Sequence, residues 1–189
     1  MLKIDPGAAL LVIDVQKGFE HPSWGPRNNP DAEANMGKLL EAWRASGWPV
    51  IHVYHDSADP EGCFVPGSRG HLAMDFVQAR PGEPVYHKSV NSAFIGSSLE
   101  EDLHRNHVES LVIVGLTTNH CVSTTARMAG NLGFRTFVVS DATATFDRAA
   151  LDGTVRPADD VHAAALSDLN YEFARVISTA DALPERAAA

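Results

Sequence analysis

Six short runs of consecutive apolar, mostly β-branched residues recur along the chain, at residues 8–13, 50–54, 84–87, 110–114, 136–139 and 175–177. They lack the strict alternation of a half-exposed sheet, and so read as strands buried on both faces. Helical patterns fill most of the intervals. Asn29 and Pro30 suit an N-cap and first helical residue, Met36, Leu39, Leu40 and Trp43 follow on one face, and Gly47 with Pro49 stops the run. Ser98 with Glu101 suits a capping box ahead of Leu103, and Thr118 or Asn119 suits the cap of a helix reaching Gly130. Val161, Ala165 and Leu169 share a face of a later helix. Strand–helix alternation of this kind predicts an α/β fold: a doubly wound, six-stranded parallel sheet with right-handed crossovers and helices on both faces, three layers in all. Two connections depart from the pattern, residues 56–83 and 142–157, both rich in Gly and Pro or weakly periodic; long loops at one end of a compact sheet are often lids or binding loops. No repeat or internal boundary is evident, so residues 1–189 read as one domain.

Charge and cysteine usage exclude several function classes. The net charge is −9 with no offsetting basic cluster, which argues against nucleic acid or an anionic membrane as partner. The apolar runs are far too short to span a bilayer. No apolar stretch follows Lys3, so the first six residues do not read as a signal peptide. The two cysteines, Cys63 and Cys121, are then expected as free thiols in a cytoplasmic protein rather than as a disulfide. Neither GxGxxG nor a P-loop occurs, so no nucleotide cofactor is indicated.

Ligands of doubly wound sheets bind beyond the carboxyl ends of the strands. Asp14, Lys88 and Cys121 follow the first, third and fourth predicted strands, and should face one edge of the sheet. Cys121 sits where a helix begins, and a helix mouth stabilises a thiolate. A thiol, a base and a cation converging there have the makeup of a nucleophilic acyl-transfer site. Taken singly each residue has a plainer reading: Asp14 as a cap, Lys88 as a solvated charge, Cys121 as a small buried hydrophobe. Their coincidence at strand ends favours chemistry. His120 adjoins Cys121, but neighbouring helical residues do not face each other, so it reads as packing or substrate lining. His52, His55, Asp56 and His71 are scattered without a compact metal-ligand spacing. His52 reads as a core histidine and Cys63 as incidental to function.

Three segments carry a resemblance: 11–16 (LVIDVQ), 87–94 (HKSVNSAF) and 114–122 (VGLTTNHCV). In this order they resemble the motifs of the isochorismatase-like cysteine hydrolases, which include nicotinamidase, N-carbamoylsarcosine amidohydrolase, ureidoacrylate amidohydrolase, streptothricin hydrolase and isochorismatase. The resemblance implies an Asp–Lys–Cys triad at Asp14, Lys88 and Cys121, sheet order 3-2-1-4-5-6, a cis peptide between Leu116 and Thr117, and an oxyanion hole from the backbone N–H groups of Thr117 and Cys121. It also implies a homo-oligomer, dimer or tetramer, acting on a small molecule. Nicotinamidases carry an Asp-Trp-His metal motif after the second strand; here the stretch is Asp56-Ser57-Ala58, so neither metal nor other cofactor is expected. Some relatives that cleave the isochorismate vinyl ether lack the cysteine. Its presence favours hydrolysis of a C–N amide or carbamoyl bond through a thioester, against a vinyl ether hydrolase or a non-catalytic binding protein. Phe19, Trp24, Phe94 and the 56–83 loop are expected to line the substrate pocket.

Overall fold

A computed structural model describes residues 4–184, so Met1, Leu2 and Lys3 of the opening segment lie outside the described residues. Six strands form one parallel sheet: β1 (Ala9–Ile13), β2 (Val50–His55), β3 (Val85–Lys88), β4 (Ser110–Leu116), β5 (Arg135–Ala144) and β8 (Arg175–Ile177). Their order is β3-β2-β1-β4-β5-β8. This is the predicted order, with the last strand numbered later because a two-stranded antiparallel ribbon, β6 (Arg148–Ala149) with β7 (Val155–Arg156), intervenes. The predicted loop at 142–157 is thus partly ordered: β5 runs on to Ala144, and the ribbon follows.

The fully buried pattern of β1 and β4 reflects apolar layers on both faces of the sheet. On one face, Leu10, Val12, Val112 and Val114 meet Met36, Leu39, Leu40 and Trp43 of α1 (Ala32–Ser46), together with Ala182 of α5 (Thr179–Ala182). The Trp43 indole N–H satisfies the Ala8 carbonyl at 2.8 Å. On the other face, Leu11, Ile13, Leu111 and Ile113 meet α2 (Leu99–Arg105), α3 (Ser123–Asn131) and α4 (Ala158–Leu169). The alternation of inward side chains along a strand sorts each residue to its layer.

Helix starts differ from the sequence expectations, each for a local reason. Helix α1 begins at Ala32 rather than beside Asn29. Asn29 instead has φ 45° and donates its side-chain amide to the carbonyls of Ser140 and Thr143, tying the approach of α1 to the end of β5. The Ser98 hydroxyl donates to Asp102 rather than accepting from the helix, so no capping box forms. Thr118 and Asn119 do not cap α3. A π-helical turn, Thr118–Val122, precedes it; Thr118 bonds His162 at 2.8 Å, and Asn119 accepts from Thr145.

Gly115, paired with Ile13 across β4 and β1, has φ 123°, and a Cβ there would collide with the Ile13 carbonyl oxygen. The turn that delivers the chain to Cys121 therefore requires glycine at this position. Gly115→Ala is expected to cost roughly 3 kcal/mol or more, at the top of the usual range for point substitutions; chemical denaturation measures it, and a loss under about 1 kcal/mol would show that the strands can separate here.

Candidate active site

The sheet topology brings three sequence-predicted groups to one place. Asp14 follows β1 with its N–H bonded to the Val53 carbonyl at 2.8 Å, and its backbone takes φ 51°, a region that non-glycine residues enter at a cost. Lys88 is the last residue of β3. Its ammonium meets the Asp14 carboxylate at 2.7 Å, and the two side chains are 0% and 1% exposed. Cys121 occupies the π-helical turn that follows β4. Ligand atoms of Asp14, His55 and Cys121 all lie within 4.8 Å of one another.

The electrostatics follow from burial. Desolvation pushes the Asp14 carboxyl up, and the Lys88 charge beside it is the largest opposing influence. Asp14 Oδ1 is buried without a hydrogen-bond partner, and the carboxylate lies within 4.8 Å of the Cys121 sulfur. Burial, with the Asp14 charge second, pushes the Cys121 thiol up to about 12. That direction opposes the standing thiolate expected from the helix mouth alone. The helix entry is there, but the half-buried sulfur lies near a carboxylate, and desolvation with that charge outweighs the nearby lysine.

Two neighbours were not assigned to the site by the sequence reading. His55 ends β2 in register with Lys88, and its Nδ1 lies 3.3 Å from the Lys88 ammonium. Burial, then the Lys88 charge, lowers its pKa, so the ring is a neutral acceptor. Its place at a strand end beside Asp14 and Lys88 was a usable signal. Gln16 is fully buried; its amide donates to the carbonyls of His55 (3.1 Å) and His71 (2.9 Å) and accepts from the His55 N–H (2.8 Å). Nothing in the local pattern distinguishes this glutamine from a surface one.

Phe19 and Trp24 join Phe64 and Phe146 in an aromatic wall, with Phe19 4.9 Å from Trp24 and 4.7 Å from Phe64 by ring centroids, and Phe64 5.9 Å from the His55 ring. Trp24 and Phe64 line a cleft of about 500 Å³ with Cys63 and Arg148. Phe94 stacks on Phe134 in the core layer against which Cys121 packs, on the opposite face of the sheet from Phe19. His120 presents Nδ1 to the Arg148 guanidinium at 3.0 Å, consistent with a lining position and not with a dyad.

Of the scattered histidines, His52 is a core residue held by Glu83 at 2.9 Å. Asp56 and His71, joined by His87 from β3, form a separate cluster with ligand atoms within 4.8 Å. Both imidazoles meet the same oxygen, Asp56 Oδ1, at 2.7 and 2.8 Å. A two-histidine, one-carboxylate set suits a divalent cation; as it stands the three residues satisfy one another.

A sequence profile of the isochorismatase domain matches residues 8–181. The chain belongs to the isochorismatase family. The Bacillus subtilis isochorismatase family protein YrdC is 46% identical over 171 residues, covering 90% of this chain and 91% of that one. A crystal structure of a hydrolase of the family from Chromobacterium violaceum superposes with a TM-score of 0.93 at 46% identity, covering 95% and 94%. Streptothricin hydrolase of Streptomyces noursei is 32% identical, covering 98% of this chain and 73% of its own. The chain is accordingly a cysteine hydrolase of the isochorismatase family.

The raised thiol makes a direct expectation. Iodoacetamide at pH 7 should label Cys121 more slowly than free cysteine, with a rate still climbing past pH 9, followed by mass spectrometry of the Cys121 peptide. A rate plateau reached near neutrality would show a resting thiolate.

Proposed function

We propose that this isochorismatase-family protein hydrolyses a C–N bond, amide or carbamoyl, of a small molecule through a thioester on Cys121. The observation that carries the reading is the buried Lys88–Asp14 pair at 2.7 Å, with the Asp14 carboxylate within 4.8 Å of the Cys121 sulfur and its Oδ1 unpartnered. The match to streptothricin hydrolase supports amide chemistry.

Because the thiol rests protonated, the nucleophile is generated during attack. Sγ bonds to the substrate carbonyl carbon as its proton passes to Asp14 Oδ1. The carbonyl becomes an oxyanion held by the backbone N–H groups of Thr117 and Cys121, each donor contributing on the order of 3–4 kcal/mol in comparable enzymes. Lys88 keeps Asp14 oriented and offsets its charge before transfer. On collapse the C–N bond breaks, and the Asp14 proton moves to the leaving nitrogen. Water then enters; Asp14 accepts its proton as the oxygen attacks the thioester. The C–S bond breaks, and the proton returns to sulfur. His55, neutral and bonded to the Lys88 ammonium, fixes the lysine's direction. Phe19 and Trp24 favour a partly apolar or planar acyl group.

Every proposed step is carried by side-chain and backbone groups of the Asp14–Lys88–Cys121 site, and none calls on the Asp56–His71–His87 cluster. Exhaustive chelation is expected to leave turnover unchanged; activity lost with a removed metal and restored by its return would place that cluster in the mechanism.

A panel of amides assayed for ammonia release tests the proposal. Cys121→Ala is expected to lower kcat by several orders of magnitude while thermal unfolding stays near wild type. Turnover retained in that variant would point to the alternative reading, vinyl ether hydrolysis with Asp14 as the acid.

A further inference from the structure

The β6–β7 ribbon sets Arg148 directly opposite Arg156. Opposed residues of an antiparallel pair project on the same face about 5 Å apart, and like charges there repel. In a chain of net charge −9 a carboxylate would be expected between them. Neither arginine pairs with one among the described residues, whereas Arg27, Arg44, Arg105, Arg127 and Arg135 all do. The nearby acids are engaged elsewhere: Asp152 accepts from Thr154, Asp147 from the Ala158 N–H, and Asp168 faces Arg127.

Arg148 has a further unsatisfied group. Its Nε is buried without a hydrogen-bond partner. Its only polar contact among the described residues runs from Nη2 to His120 Nδ1, at 3.0 Å. As an acceptor there, His120 is neutral, and burial followed by the Arg148 charge lowers its pKa in the same sense. The guanidinium therefore leans on an uncharged ring and leaves a donor unused. Its position is equally specific. His120 immediately precedes Cys121, and Arg148 shares the cleft wall with Trp24, Phe64 and Cys63.

We infer that Arg148 anchors an anionic group of the substrate, a carboxylate or similar planar oxyanion, with Arg156 adding long-range attraction. The inference rests on the amide hydrolase reading and narrows it to amides that carry a second, negatively charged end. A guanidinium edge offers parallel N–H donors matched to a carboxylate, and ionised partners make the stronger hydrogen bonds. An incoming carboxylate would relieve the Arg148–Arg156 repulsion.

Iodoacetate and iodoacetamide differ by the charge in question, and both report on Cys121. Their alkylation rates at pH 9, resolved by mass spectrometry of the Cys121 peptide, give a ratio from which the thiol's own acidity cancels. In the wild type iodoacetate should react with saturation kinetics, and Arg148→Gln should lower the iodoacetate-to-iodoacetamide ratio by about tenfold, the scale of one charge-assisted contact. Arg148→Lys should fall between, keeping charge and losing the fork. An unchanged ratio overturns the inference, including the case where both rates move together, which would make Arg148 only a support for His120. An unchanged ratio with an altered sedimentation coefficient in Arg148→Gln would assign the arginines to a second copy of the chain. Should neither reagent label Cys121, the amide panel decides the hydrolase reading and malonate the anion site: a Tm increase in the wild type and not in Arg148→Gln supports it, and equal shifts overturn it.

Discussion

The site depends on one ion pair out of contact with water. Lys88 and Asp14 are essentially unexposed, and burying two charges is expensive unless each meets the other well. The sheet order makes the pairing demanding. Asp14 ends β1 and Lys88 ends β3, and β2 lies between them. The lysine must reach across the end of β2, and His55 sits at that end, its Nδ1 3.3 Å from the ammonium. Three adjacent strand ends are thereby set against each other. Loss of either charged partner leaves the other buried and alone, which typically costs about 3–5 kcal/mol.

That pair also sets the character of the nucleophile. A lysine beside the sulfur alone would draw the thiol toward ionisation. Here the lysine is committed to Asp14, and the sulfur meets a buried carboxylate first. Both acids are held above their ordinary values by desolvation, so neither readily carries charge alone. Charge separation is deferred until a carbonyl is present to accept it. The strained backbone of Asp14, φ 51°, fits the same economy: the position is fixed by the chemistry rather than by the comfort of the chain.

The framework was legible in the sequence because β1 and β4, buried on both faces, leave an unambiguous trace; β3 and β8, expected to be buried likewise, are partly exposed edge strands found from their short apolar runs. The strand-end rule also brought Asp14, Lys88 and Cys121 to one edge, although their roles came from the motif resemblance. What escaped depends on tertiary partners. Asn29 looks like a cap until Ser140 and Thr143 claim its amide. The ribbon at Arg148 and Arg156 is two residues per strand and largely exposed, too short to write a period. His87 joins Asp56 and His71 only once the long connection has folded back. The burial that pushes the thiol up is not visible in sequence, whereas the helix start is.

The connection through residues 56–83 shows what a single buried amide can do. Gln16 holds His55 and His71 together, and backbone bonds from Lys17, Gly18 and Met74 join residues 15–18 to residues 70–74. The segment has almost no regular structure, yet its inner stretch is tied to the chain just beyond β1. The conformational entropy of ordering that stretch, about 1–2 kcal/mol per residue, is met when the protein folds rather than when a ligand arrives. Binding then draws only on contacts with the ligand itself, so even a small molecule making few contacts can be held tightly.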